Sequence, residues 1–445
     1  MSGNSPSDER PPFRRPDYGT HSGGHAGARG AALLWDESYL WGLVAVRALE
    51  KAGLDFSLIN SGDIKRGALA DYRLLYVPGG WAKNKLLALG AEGAEMIRRF
   101  VEGGGTYAGV CGGAGLATSD GLGLLNVKRR PLEQRVPSLS GKIMAVIRPH
   151  PVWAGIRGRR PGFHVWWPSQ LEPAGPSIKV LAGFYGATAG TFSSDLSVAD
   201  FSPPDLAGLE AIYKLNLDPV RMQGSPLVME GCFGAGRVFI TLLHFDTPGD
   251  RNGRRVLRNL WEYAGCGKAP RTRNAGREGR KVLVSGESRK KPVRAGASRA
   301  GAFGELAAPM EELYLFGLRN FLWFPRGWVV QWRRGVRGLE YFTLREMTRE
   351  LAFLSPGAKA KTHAGTAEAE DLAHELRRFA EKAKTLLMLE RLALQEGRPL
   401  TFSNASSGEM AALRAELFSG SKSHGGAFKE ILDRVDALLY ERLKA

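Results

Sequence analysis

The segment from Thr106 to Gly115 constrains this chain more than any other. Thr106-Tyr107-Ala108-Gly109-Val110 is a short apolar run that leads directly into Cys111, and Gly112-Gly113-Ala114-Gly115 follows without a bulky side chain. A sharp strand-to-helix turn forces its central residue into a strained backbone conformation, and only small neighbours let the main chain fold back without clashes. The Cys111 thiol is then expected above the end of a sheet, at a helix N-terminus whose partial positive charge and free N–H groups favour thiolate. The same N–H groups, that of Gly112 first, can stabilise an oxyanion.

The surrounding pattern supplies the sheet. Ala31 to Leu34, Phe56 to Ile59 and Leu74 to Val77 are short apolar runs, and Leu40, Leu43, Val44, Val46 and Leu49 recur between the first two at helical spacing up to Gly53. Met96, Ile97, Phe100 and Val101 form the inner face of the helix before Thr106. Alternating strands and helices predict a parallel α/β sheet. Lys179 to Ala182, Leu227 to Met229 and Val238 to Leu243 read as further strands, and Arg254 to Tyr263 as a closing helix.

A 445-residue chain with 43% apolar content exceeds what one core usually organises. The expected division is a flexible tail at 1–30, the α/β unit at 31–265, a basic linker at 266–305 and a helical unit at 306–445. Between Gly267 and Gly301, eleven Lys or Arg residues face only Glu278 and Glu287, a net of +9 within the overall +17. Blocks of like charge are usually solvated tethers, with weak contact to nucleic acid or an anionic surface as the alternative. Beyond the linker only helices are expected, carried by the stripes Leu372, Leu376, Phe379, Ala383, Leu386, Leu387 and Phe428, Ile431, Leu432, Val435, Leu438, Leu439. Leu313 to Trp332 mixes aromatics with arginine, which reads as burial against the first unit, or else as docking at a membrane interface.

Three widely spaced cysteines, Cys111, Cys232 and Cys266, argue for a reducing, cytoplasmic setting and provide no metal-ligand spacing, so neither metal nor cofactor is expected. The N-terminus has no apolar signal core, and no window offers about 18 uninterrupted apolar residues for a membrane span.

Two further motifs converge on Cys111. Pro78-Gly79-Gly80 ends a neighbouring strand, and ligands of open parallel sheets bind at the carboxyl ends of strands, so its backbone is the expected second oxyanion donor. Gly236 to Leu243 reads as a strand ending in His244-Phe245-Asp246. Residues i and i+2 of an extended chain point the same way, which lets Asp246 orient the His244 imidazole. Candidate pocket residues are Asp36, Trp81 and Trp166, with helix capping as the alternative for Asp36 and ordinary packing for Trp166.

The PGG loop, the GGGTYAGVCGGA strand and elbow, and the late GxGRV strand ending in HxD together resemble the class I glutamine amidotransferase superfamily. Within it, YVPGGWA followed by IRRFVEGGGTYAGVCGGAGLA is most similar to the biotin-protein ligase N-terminal domain family. The resemblance implies a flavodoxin-like parallel sheet with helices on both faces, Cys111 as nucleophile, His244 as base, Asp246 as orienting acid, and Gly79, Gly80 and Gly112 as the oxyanion hole. The chain departs from glutaminases at Ala114, where they carry a polar residue, and at His244-Phe245-Asp246, where they carry H-P-E. No Gly-Arg-Gly-Arg motif of a biotin ligase domain is present, so biotin ligation is not expected. Two functions stay open: thiol-dependent hydrolysis or transfer at an amide or acyl bond of a small-molecule or peptide-like substrate, and a catalytically silent ligand-binding or scaffold module. In either, the helical unit is available for a protein partner.

Overall fold

The computed structural model describes residues 30–267, 302–354, 363–398, 400–401, 405, 407–420 and 424–444. The N-terminal tail and the basic segment beyond Gly267 lie outside the described residues.

The first four strands form where the apolar runs place them: β1 (Ala31–Leu34), β2 (Phe56–Ile59), β3 (Leu74–Val77) and β4 (Thr106–Val110). The helices α1 (Tyr39–Ala52), α2 (Ser61–Lys65) and α3 (Ala82–Glu102) connect them, so the strands pair in parallel. β1, β3 and β4 are buried along their whole length, as expected of strands covered on both faces. α3 is a single run in the sequence but kinks at Gly90, where φ is 62°.

After α4 (Gly112–Leu116) the chain adds antiparallel strands to the expected parallel sheet. β5 (Val127–Arg129) pairs with β8 (Leu171–Pro173) in a small separate ladder. β6 (Leu139–Ile147), β7 (Gly162–Trp166), β9 (Lys179–Ser193), the short β10 (Leu196–Ser197) and, after α5 (Pro203–Tyr213), β11 (Pro226–Phe233) add antiparallel strands. β12 (Gly236–Thr241) lies parallel to β4, and α6 (Arg251–Tyr263) closes the unit. The order is β2-β1-β3-β4-β12-β11-β9-β6-β7, with β10 on β9. Its parallel half has the flavodoxin-like order. The other half is antiparallel, and the strand expected to end at Ala182 continues to Ser193, bent by register shifts against both neighbours.

The C-terminal region is not helical throughout. Between α7 (Ala307–Arg319) and α8 (Leu339–Leu354) stands a hairpin, β13 (Trp323–Arg326) and β14 (Val329–Trp332), turned at Gly327 (φ 63°) and Trp328. α9 (His363–Gln395), α10 (Gly408–Phe418) and α11 (Gly426–Lys444) follow. Among the described residues no helix is long and apolar enough to cross a membrane.

One apolar cluster runs from β1 to α11 without a break, so the two units share a core. Polar contacts cross the seam as well: Arg47 pairs with Glu350 at 2.5 Å, Tyr39 donates to Asp433 at 2.8 Å, and Tyr440 to Asp63 at 2.9 Å. Trp323 anchors the hairpin, its ring against Gly317 and Tyr341 and its indole N–H donating to Tyr314 O at 3.0 Å. Trp323→Ala is expected to destabilise the chain by about 3–5 kcal/mol, read as a lower chemical-denaturation midpoint.

Candidate active site

Cys111 sits at φ 51°, ψ −100°, between β4 and α4, a conformation that L-residues rarely adopt. It is held there by main chain rather than by side chains. A Cβ on Gly112 would overlap the Gly80 carbonyl, one on Gly113 the Val77 carbonyl, and one on Gly109 the Gly113 carbonyl. The Cys111 amide donates to Thr241 O at 2.8 Å, which fixes the turn against the end of β12. These contacts seat the Pro78-Gly79-Gly80 loop directly against the first residue of α4, whose amide has no partner within its own helix. The thiol is partly exposed, and its sulfur lies 3.8 Å from Trp166 O.

His244 approaches from the neighbouring strand by a route the sequence does not indicate. β12 ends at Thr241, and the following residues form a turn instead of an extended pair. The Thr241 hydroxyl accepts from the Leu243 amide at 2.9 Å, and Thr247 N donates to His244 O at 3.1 Å, closing the bend. The two side chains still meet across this turn: His244 Nδ1 is 3.0 Å from Asp246 Oδ1, and both are fully buried. The His244 amide donates to His164 O at 2.8 Å, and a Cβ on Gly79 would lie 3.3 Å from His244 Cε1. PGG loop, elbow and imidazole therefore share one small volume.

Burial disfavours the imidazolium, but the charge and hydrogen bond of Asp246, joined by interaction with Cys111, prevail and raise the His244 pKa to about 9. The buried Nε2 makes no hydrogen bond of good geometry. An imidazolium of that kind stabilises a neighbouring thiolate.

Aromatic rings line the space around this pair. Trp41, from α1, stacks at an angle on His244 with centroids 4.6 Å apart. Trp166 ends β7 and Trp167 follows it at φ 51°. Trp328, from the C-terminal hairpin, packs edge-on against Trp41 at 5.9 Å and Trp166 at 5.3 Å, while Trp332 lies 5.2 Å from Trp167. The hairpin thus roofs the carboxyl edge of the sheet. Of the expected pocket residues, Trp166 is part of this lining. Asp36 is not: its carboxylate accepts from Ser61 N at 2.6 Å and Ser61 Oγ at 2.9 Å, tying the end of β1 to the start of α2. Trp81 is 45% exposed and faces the His424 ring at 6.4 Å. Trp41 joins the site only through the fold, since no local motif marks it, whereas Trp328 and Trp332 belong to the aromatic and arginine stretch expected to be buried against the first unit. Among the described residues no group of three or more metal-ligating side chains occurs.

No family model matches the chain, and no curated protein matches it. Solved structures similar to it include a protein from Thermoplasma acidophilum described as a subunit of GMP synthase, 14% identical, covering 53% of this chain and 94% of that one at a TM-score of 0.35. PurLQS from Thermotoga maritima is 15% identical over 53% of this chain and 99% of its own, at 0.36. A β-galactosidase from Bacillus circulans is 16% identical over 53% and 31%, at 0.33. At such identities nothing about chemistry transfers to this chain. Strand order and the turn at Cys111 define an α/β protein with a flavodoxin-like parallel half.

Because the His244 pKa lies above its ordinary value of 6.5, its ionic interaction stabilises the fold fully below about pH 6.5 and is lost as pH rises through about 9. Side-chain NMR of His244 is expected to show a midpoint near 9, falling by at least about one unit in Asp246→Asn. An unchanged midpoint in that variant would rule out the carboxylate as its cause.

Proposed function

We propose that residues 31–265 form an amidotransferase-like module in which Cys111, His244 and Asp246 cleave or transfer an amide or related acyl bond of a small-molecule or peptide-like substrate. The supporting observation is the conjunction of a cysteine at φ 51° with an imidazole bonded to a buried carboxylate at 3.0 Å. In this reading the Cys111 thiolate attacks the carbonyl carbon, and the displaced electron pair rests on an oxyanion facing the amides of Gly80 and Gly112, with Gly79 shaping their loop. Collapse expels the amine, which takes its proton from the His244 imidazolium. Water or another acceptor then attacks the thioester, gives its proton to His244, and frees the thiolate. Asp246 fixes the ring throughout.

Ala114 and the His244-Phe245-Asp246 ending depart from the glutaminase pattern, so glutamine is not the proposed donor. Kinship with the biotin-protein ligase N-terminal domain family rests on the motifs around Val77 to Trp81 and Cys111. The helical region would offer a surface to a protein partner, and the segment 267–301 a weak, salt-sensitive contact with nucleic acid or an anionic surface.

A second reading, a silent ligand-binding module, is favoured by the roof of Trp328 and Trp332, which occupies space a large substrate would need. Alkylation by iodoacetamide across pH separates the two. In a Cys232→Ser, Cys266→Ser background, fast alkylation of Cys111 near neutral pH is expected, slowed about tenfold or more in His244→Ala. Slow alkylation indifferent to His244 would leave only the silent module.

A further inference from the structure

Two polar groups stand beside the tryptophan lining, a buried donor without an acceptor and a largely buried cation without a counterion among the described residues. The indole N–H of Trp328 is buried and has no acceptor among the described residues. Its ring lies edge-on to Trp166, whose carbonyl meets the Cys111 sulfur, and to Trp41, which covers His244. An orphaned buried donor is costly unless a ligand supplies an acceptor.

Across Gly327 from Trp328 stands Arg326. Its guanidinium lies 4.4 Å from the Phe192 ring centroid and 5.2 Å from that of Trp166. Its hydrogen bonds go to neutral groups, Gln331 Oε1 at 2.7 Å and Ser140 Oγ at 3.0 Å, and among the described residues it forms no ion pair. Burial alone lowers its pKa, to about 10, without an acid to oppose it. Other arginines of the C-terminal region do find carboxylates: Arg337 with Glu340, Arg345 with Glu311, Arg414 with Glu390. A largely buried cation without a counterion is costly to the protein alone and favourable to an anion that reaches it.

From these two independent observations we infer that the β13–β14 turn is the anion-recognising part of the site: Arg326 and the Trp328 N–H bind a carboxylate on the substrate whose acyl group Cys111 attacks. This rests on the nucleophile reading above and narrows it to acyl compounds carrying a second, carboxylate end. The C-terminal region is then a specificity element, with guanidinium and indole N–H as paired donors to one oxyanion. Ser140 and Gln331 hold the guanidinium in place on the sheet, so that binding requires little reorganisation.

The test uses the full chain with glutarate as probe and its neutral diamide, glutaramide, as control. Glutarate is expected to slow iodoacetamide alkylation of Cys111 but not of exposed Cys232, and glutaramide to slow neither. Trp328→Phe keeps the ring and removes the donor, and Arg326→Gln keeps hydrogen-bonding capacity and removes the charge. Each is expected to weaken glutarate binding about tenfold or more by isothermal titration calorimetry, with Arg326→Lys intermediate. Equal effects of glutarate and glutaramide, or glutarate binding unchanged in both variants, would overturn the inference. Calorimetry does not depend on thiol reactivity. Glutarate binding with a sluggish Cys111 would therefore defeat the nucleophile reading while leaving the carboxylate site standing.

Discussion

Main chain packed on main chain at Gly112 and Gly113 is the contact on which the rest of this site depends. With no Cβ at either position, the first turn of α4 lies against the carbonyls of Gly80 and Val77, and the end of β3 comes to the elbow at a distance no side chain would permit. That approach sets the Cys111 conformation and brings the PGG loop against the elbow, with the imidazole of His244 close to Gly79. The strain at Cys111 is sustained because the sheet over-determines it: β4 is held between β3 and β12, and the Cys111 amide is itself bonded to β12.

Electrostatics then act on a geometry already made. Burial by itself would leave His244 neutral, and the charge of Asp246 overrides it. A group that is both desolvated and charge-paired is sensitive to small displacements, and the tilted contact with Trp41 keeps the ring from rotating away. The tryptophans thus serve two ends, packing the seam between the two halves of the chain and enclosing the ionic pair in a medium of low polarity where it interacts strongly.

Much of the parallel half was legible because each of its strands is a continuous apolar run between helices, and burial on both faces leaves no alternative reading of Leu74 to Val77 or Thr106 to Val110. The antiparallel half was harder to read. β9 is rich in Gly and Ala, residues depleted in strands, so only its first four residues were recognised. β13 contains Pro325, tolerable on an edge strand but a poor advertisement for one, and the hairpin was absorbed into an expected run of helices. Cys111, His244, Asp246 and the glycines were identifiable because their chemistry demands particular residue types at strand ends. Among their neighbours Trp166 was an expected pocket residue, but Trp41 and Trp328 stand far apart in the sequence and meet only through the shared core. The local route to the His244–Asp246 contact was also misread, since Thr241 bends the chain with its own hydroxyl where an extended strand was expected.

The roof over the sheet has a consequence for how this chain tolerates being divided. Trp328 and Trp332 reach the α/β unit from beyond the basic segment, so a protein cut within that segment and stripped of its C-terminal region would present Trp41, Trp166 and Trp167 to water as a contiguous apolar patch. Patches of that kind drive self-association in isolated fragments. The amino-terminal unit, though it carries Cys111, His244 and Asp246 together, is in solubility terms only part of a protein.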